Sequence, residues 1–215
     1  MKYPRTPHAP FSPGRGKGDR VIKDITPFLE HEALIITEKL DGSNVCLTSD
    51  AVFARSHSGP PKHPSFDWLK AKHAEIRGMI PHDVELFCEY TYAVHSIEYR
   101  ALPSYIWIIG IRRNGRWFSW DELRQASNAL KIPTVPFISK IEHGKINAKQ
   151  LERTLIQEFN SKGLFGDKEG IVIRNESFFD DEDFSSNIMK MVRKDHVQTD
   201  VHWTNQPIKV QELVF

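Results

Sequence analysis

The feature that most restricts the fold is a series of short β-branched and aromatic segments separated by turn residues. Residues 33–39, 44–48, 51–56, 84–92 and 105–113 all read as strands. Asn114-Gly115 supplies a tight hairpin signal into 116–119. Residues 170–174 and 188–193 add two more apolar strands, joined by the acidic run Asp180-Asp181-Glu182-Asp183, which reads as a solvated loop. Helical spacing is confined to three stretches. Pro64-Ser65 opens one with Phe66, Leu69, Ile76 and Ile80 on one face. Ser119-Trp120-Asp121-Glu122 fits a capping box for a helix reaching Lys131. Asn147 caps a third over 148–160, before Gly163. Strands linked by tight turns, with few helices, predict an α+β fold of mostly antiparallel sheets flanked by helices.

No repeat or linker divides the 215 residues, so one domain is expected over 1–215, with no separate C-terminal domain. Residues 1–20 hold Pro4, Pro7, Pro10 and Pro13 and then Gly14, Gly16 and Gly18, which predicts an extended basic arm. Lys plus Arg total 29 against 28 Asp plus Glu, a net charge of +1. That excludes a uniformly basic coat for bulk nucleic-acid or membrane binding. Any anionic substrate must meet a local cluster, and the candidates are the arm, Arg112-Arg113 with Arg116, and Lys190 with Arg193-Lys194. Cys46 and Cys88 sit in apolar strands and read as buried free thiols in a reducing compartment. His196 and His202 lack the spacing of a metal site and read as structural or surface residues. No apolar run has the length of a membrane span and the N-terminus lacks a secretory core, so a cytoplasmic location is expected.

Several strands carry charge where apolar residues are expected. Glu38-Lys39-Leu40-Asp41-Gly42-Ser43-Asn44 ends a strand on a lysine beside a turn. A Lys-x-Asp-Gly match occurs by chance in roughly one chain in twenty of this length, so it carries little alone. Glu89 lies within Leu86-Phe87-Cys88-Glu89-Tyr90, Glu169 opens Glu169-Gly170-Ile171-Val172-Ile173-Arg174, and Met189-Lys190-Met191-Val192-Arg193 bears two cations. Gathered into one cleft, two carboxylates suit a divalent metal and the cations suit phosphate. A lysine that loses its proton is a nucleophile. Together these groups describe nucleotidyl transfer.

The order Lys-x-Asp-Gly-Ser-Asn, Arg-Ser, Glu, Glu-Gly-Ile-Val-Ile and Lys-x-Val-Arg resembles the ATP-dependent RNA ligases, of the RNA ligase 2-like group. They belong to the covalent nucleotidyltransferase superfamily, with DNA ligases and mRNA capping enzymes. Tyr3-Pro4-Arg5-Thr6-Pro7-His8, Tyr92-Ala93-Val94-His95-Ser96-Ile97-Glu98-Tyr99 and His196-Val197-Gln198-Thr199-Asp200 with His202-Trp203 extend the likeness over nearly the whole chain. The resemblance implies a ligase adenylation domain, ATP-grasp-like, with the nucleotide in a cleft between sheets. It implies ATP and Mg²⁺ or Mn²⁺ as cofactors, and RNA with 5′-phosphate and 3′-hydroxyl ends as partner. An end-healing kinase or phosphatase and a part in RNA repair go with it.

Lys39 would then carry AMP before passing it to an RNA 5′ end. By the same resemblance Glu38 would contact adenine, Asn44 the phosphate or the joining step, and Arg55 ribose or nucleic acid. Glu89 would contact ribose and metal, Glu169 metal, and Lys190 with Arg193 the α-phosphate. Where the family has Phe-Asp on the adenine-stacking strand, this chain has Ile109-Gly110. Ile109 would offer an apolar face to the base, and strand alternation puts Trp107 on the same side. Two alternatives stand beside this reading: a relative acting on DNA or another acceptor, and a non-catalytic RNA-binding relative.

Overall fold

The computed structural model describes residues 2–55, 59–194 and 207–214; His196, His202 and Trp203 lie outside them. Among the described residues, ten strands form two antiparallel sheets. The first contains β1 (Ala33–Lys39), β7 (Phe137–Glu142), β8 (Gly170–Asn175) and β10 (Ile188–Val192), in the order β10-β8-β1-β7. The second contains β2 (Ser43–Leu47), β3 (Val52–Ala54), β4 (Val84–Tyr90), β5 (Ile106–Arg113), β6 (Arg116–Trp117) and β9 (Phe179–Asp180), in the order β3-β2-β4-β5-β6-β9. The helices are α1 (Asp67–Ile76), α2 (Trp120–Leu130), α3 (Ala148–Asn160) and the short α4 (Phe184–Asn187). None is long and apolar enough to cross a membrane among the described residues.

Each sheet is covered by helix on one face and turns the other toward its partner. Leu34 and Ile36 pack with Ile171, Ile173, Met189 and Met191 against Leu151 and Leu155 of α3. Burial of each such side chain contributes about 1.5–3 kcal/mol. The second sheet's outer face packs Leu86, Cys88 and Ile108 against Leu69 of α1 and Leu123 of α2. Both capped helices begin where the sequence places them, with capping boxes Ser119/Glu122 and Asn147/Gln150. Between the sheets, Cys46, Phe87, Trp117, Phe184 and Ile188 close one end, with Tyr3 packed against them. Both cysteines are buried and free.

Three local features depart from sequence expectation. β7 is an additional edge strand, with Phe137 53% exposed. Arg112 and its neighbours form no basic surface. Arg112 is buried and donates to Glu85 at 2.8 Å and to Asp181 at 2.7 Å, while Arg113 pairs with Asp83 and Arg116 with Glu122. Asp181 also accepts from Trp117 Nε1 at 2.8 Å, so one member of the acidic run is a fixed counter-ion. The rest of that run includes a short 3-10 turn, Asp181–Asp183.

Candidate functional site

The inner faces of the two sheets enclose a cleft of about 1200 Å³. Lys39, Glu38, Asn44, Arg55, Glu89 and Ile109 line it, and so do Glu169 and Lys190. Arg193 does not line it; its N–H donates to the Glu169 carbonyl at 2.9 Å, just past the end of β10. Arg55 is exposed at the rim, after β3. Trp107 lies opposite Glu89 in register but is covered. Its indole N–H donates to Thr91 at 3.1 Å and its ring packs on Phe165. Ile109 is left over where the register of β4 and β5 shifts, with Phe87 opposite Gly110 and Cys88 opposite Ile108. Ile109 and Val172 of the first sheet both line the cleft and pack against the apolar cluster that closes its end.

Gly110 has a steric reason. A Cβ there would sit 2.9 Å from the Trp117 ring and 3.5 Å from Tyr3, so this strand has no room for the aspartate of the resembling family. Arg174, also in the cleft and buried, donates to the Phe118 carbonyl at 2.7 Å. Burial lowers its pKa to about 10.

The lysine turn follows from close backbone packing. Asp41 accepts from the N–H groups of Ser96 at 2.7 Å and Ile97 at 3.1 Å, and its own N–H donates to the Tyr99 hydroxyl at 2.6 Å. A Cβ on Gly42 would meet the Tyr90 carbonyl at 2.6 Å; with glycine there, its N–H reaches Glu89 Oε1 at 3.0 Å. Gln211, 2% exposed, braces the same region: it accepts from the Tyr99 N–H and donates to the Ile97 carbonyl, both at 2.8 Å. Of these three bracing residues, Asp41 has a sequence signal in Lys-x-Asp-Gly and Tyr99 in the segment 92–99, whereas Gln211 has none.

Glu169 immediately precedes β8, whose first residue Gly170 lies opposite Lys39, and the Lys39 and Glu169 side chains form an ion pair. Gly170 lets β8 and β10 approach, since a Cβ there would lie 1.9 Å from the Met191 carbonyl oxygen. Burial disfavours the Lys39 cation, but Glu169 and Glu89 outweigh it and hold its pKa above the ordinary lysine value. Glu89 is pushed up to about 7 by burial; the Lys39 cation pulls it down, while Glu169 and Asp41 add repulsion that raises it. Burial and the Lys39 cation lower the pKa of Lys190. Glu38 is 2% exposed; Oε2 accepts from the Leu164 N–H at 2.9 Å and Oε1 has no partner among the described residues. Burial raises its pKa.

The Glu89 shift has a measurable consequence. A carboxyl whose pKa rises from 4.5 unfolded to about 7 folded binds more protons when folded, so its stabilisation is present below pH 4.5. It is lost as pH rises toward about 7. Melting in metal-free buffer should therefore show a decline across this window, and Glu89→Gln should flatten it.

No three His, Cys, Asp or Glu side chains form a ready metal cluster among the described residues. The donor chemistry nonetheless fits a divalent cation: Glu89 and Glu169 are hard oxygen donors on the same cleft, and Glu89 is held above its ordinary pKa chiefly by burial.

The sequence profile of the RNA ligase family matches residues 32–192. No curated protein sequence matches the chain. Among solved structures, an archaeal ATP-dependent RNA ligase is similar with a TM-score of 0.58 and 15% identity, covering 89% of this chain and 48% of that one. A Naegleria gruberi RNA ligase variant, solved with ATP and Mn, gives 0.56 and 14%, covering 87% of this chain and 59% of that one. At these identities the likeness is one of fold, and the chain spans roughly half the length of those ligases.

Proposed function

The chain belongs to the RNA ligase family, and on that premise we propose that it is an ATP-dependent ligase joining RNA 3′-hydroxyl and 5′-phosphate ends. The observation that carries this reading is the Lys39–Glu169 pair, set at the ends of adjacent strands in a cleft also lined by Glu89 and Lys190. Lys39 Nζ forms a bond to the α-phosphorus of ATP as pyrophosphate leaves. The adenylyl group then passes to the RNA 5′-phosphate, and the 3′-hydroxyl attacks that phosphorus, expelling AMP. Splitting the displacement through a covalent intermediate lowers each barrier.

Each residue has a physical task. Lys39 is a cation in its ion pair and must shed a proton before Nζ has a free electron pair. Glu89 and Glu169 would hold a divalent cation, which supplies positive charge that favours the neutral amine and offsets charge on the phosphate. Lys190 faces the same space and stabilises the α-phosphate oxygens. Ile109 and Val172 hold the base between them, while Glu38 Oε1 offers an acceptor to its exocyclic amine. Asn44, opposite Glu89 in register, and Arg55 at the rim suit ribose or the incoming RNA end.

A sealing assay tests the reading. Supplied with ATP and Mg²⁺ or Mn²⁺, the protein is expected to join 5′-phosphorylated RNA across a nick or splint. It is expected to discriminate against an all-DNA duplex, because 2′-hydroxyls distinguish the two. Sealing of DNA alone would move the assignment to a DNA-joining relative, and RNA binding without sealing would leave only a binding domain.

A further inference from the structure

Residues 7–14 dock on the β10 edge of the first sheet. Lys190 donates its N–H to the Pro7 carbonyl and accepts from the Ala9 N–H, each at 2.9 Å. Gly14 N–H donates to the Val192 carbonyl at 2.7 Å, so closely that a Cβ on Gly14 would lie 2.3 Å from the Arg193 oxygen. The chain then doubles back: His8 N–H donates to the Arg20 carbonyl at 2.7 Å and Ile22 N–H to the His8 carbonyl at 2.9 Å. Beneath this crossing, His8 and Ser12 are 3% and 2% exposed and bonded at 2.9 Å, and Ser12 Oγ accepts from the Val192 N–H at 3.1 Å. The loop over 13–20 is therefore held at one end by the strand that carries Lys190 and at the other by His8, which is itself bridged to that strand.

That loop brings Lys17 and Arg20 to the cleft, and Arg5 reaches it from the preceding stretch. None of these three side chains has an ion pair or hydrogen-bond partner among the described residues. This contrasts with Arg112, Arg113 and Arg116, which are all neutralised. The acid within the loop, Asp19, is already engaged by the Gly16 N–H at 2.7 Å and by His8 at 3.5 Å. Three cations, of which Arg5 alone feels the Asp19 charge, thus line the same cleft as Lys39 and Lys190.

We propose that Arg5, Lys17 and Arg20 hold the β- and γ-phosphates of the nucleoside triphosphate and then the departing pyrophosphate. The inference rests on the ligase reading. An α-phosphate placed against Lys39 and Lys190 leaves the rest of the triphosphate to run over the β10 edge, where these cations stand. As the Lys39 nitrogen bonds to the α-phosphorus, the bond from that phosphorus to the bridging oxygen breaks. Its electron pair leaves with pyrophosphate, and guanidinium groups aimed at that oxygen-rich product stabilise the charge as it develops.

The test pairs two reactions of the full chain. Arg5→Ala with Arg20→Ala is expected to raise the KM for ATP in self-adenylylation at least tenfold. It should slow, to a similar degree, the re-formation of ATP from adenylylated enzyme and inorganic pyrophosphate. Joining of a chemically pre-adenylylated RNA, which carries no triphosphate, should be unaffected, and the double lysine variant should recover most of the ATP response. A wild-type KM and pyrophosphate response in the double alanine variant would overturn the proposal. Equal loss on pre-adenylylated RNA would overturn it too, by assigning the cations to RNA. If the wild-type protein takes up no AMP and joins no pre-adenylylated RNA, the ligase reading itself falls.

Discussion

Lys39→Arg is expected to abolish adenylylation of the protein while leaving its fold in place. Arginine keeps a cation beside Glu169 and Glu89, so the carboxylates that surround position 39 retain their counter-charge. A guanidinium, however, has a pKa above about 12 and offers no free electron pair to phosphorus. The loss should be on the scale of removing a covalent nucleophile, about 10⁶ in rate where the residues act as a unit. Joining of pre-adenylylated RNA needs no lysine nucleophile and should continue. Lys39→Ala removes the counter-charge as well. Glu89 would then lose the cation that lowers its pKa, and the variant should lose more stability at pH 8 than at pH 5. Radiolabel from α-labelled ATP appearing on either variant as strongly as on wild type would sink the assignment of Lys39.

The second large effect is at Gly170. An alanine Cβ would stand 1.9 Å from the Met191 carbonyl oxygen and 3.0 Å from the Val192 Cα, both backbone atoms that no rotamer change can clear. β8 and β10 must part, and the displacement starts one residue from Glu169. Overpacking of this kind costs about 1–3 kcal/mol or more. For a chain of this size each kcal/mol lowers the melting point by about 2–4 °C. Gly170→Ala should therefore melt at least several degrees lower and adenylylate slowly even when folded. Gly78→Ala is the control, since a Cβ there meets nothing within 4 Å. It should shift stability by no more than about 0.5 kcal/mol. Equal melting of the two variants would contradict the packing argument.

The parts of the molecule legible in the sequence are those whose signals are local. Strand alternation, the turn glycines and the capping boxes at Ser119 and Asn147 depend on residues a few positions apart, and the observed elements follow them closely. The charged strand positions were visible because a carboxylate within an apolar strand is unusual, and the cleft gathers Lys39, Glu89, Glu169 and Lys190. What was hidden depends on distant partners. Phe137–Glu142 is a half-exposed edge strand whose register comes from β1. Arg112 looks basic until Glu85 of β4 and Asp181 of the turn after β9 neutralise it. The bulge at Ile109, the cover over Trp107 and the docking of residues 7–14 on β10 likewise arise only when remote segments meet.

Mass spectrometry of the wild-type chain after incubation with ATP and Mg²⁺ or Mn²⁺ tests the central claim most directly. The expected product is one adenylyl group per molecule, carried on the peptide containing Lys39, sensitive to acid as a phosphoramidate and discharged by 5′-phosphorylated RNA. No adduct under these conditions, or an adduct mapped to another residue, would contradict it.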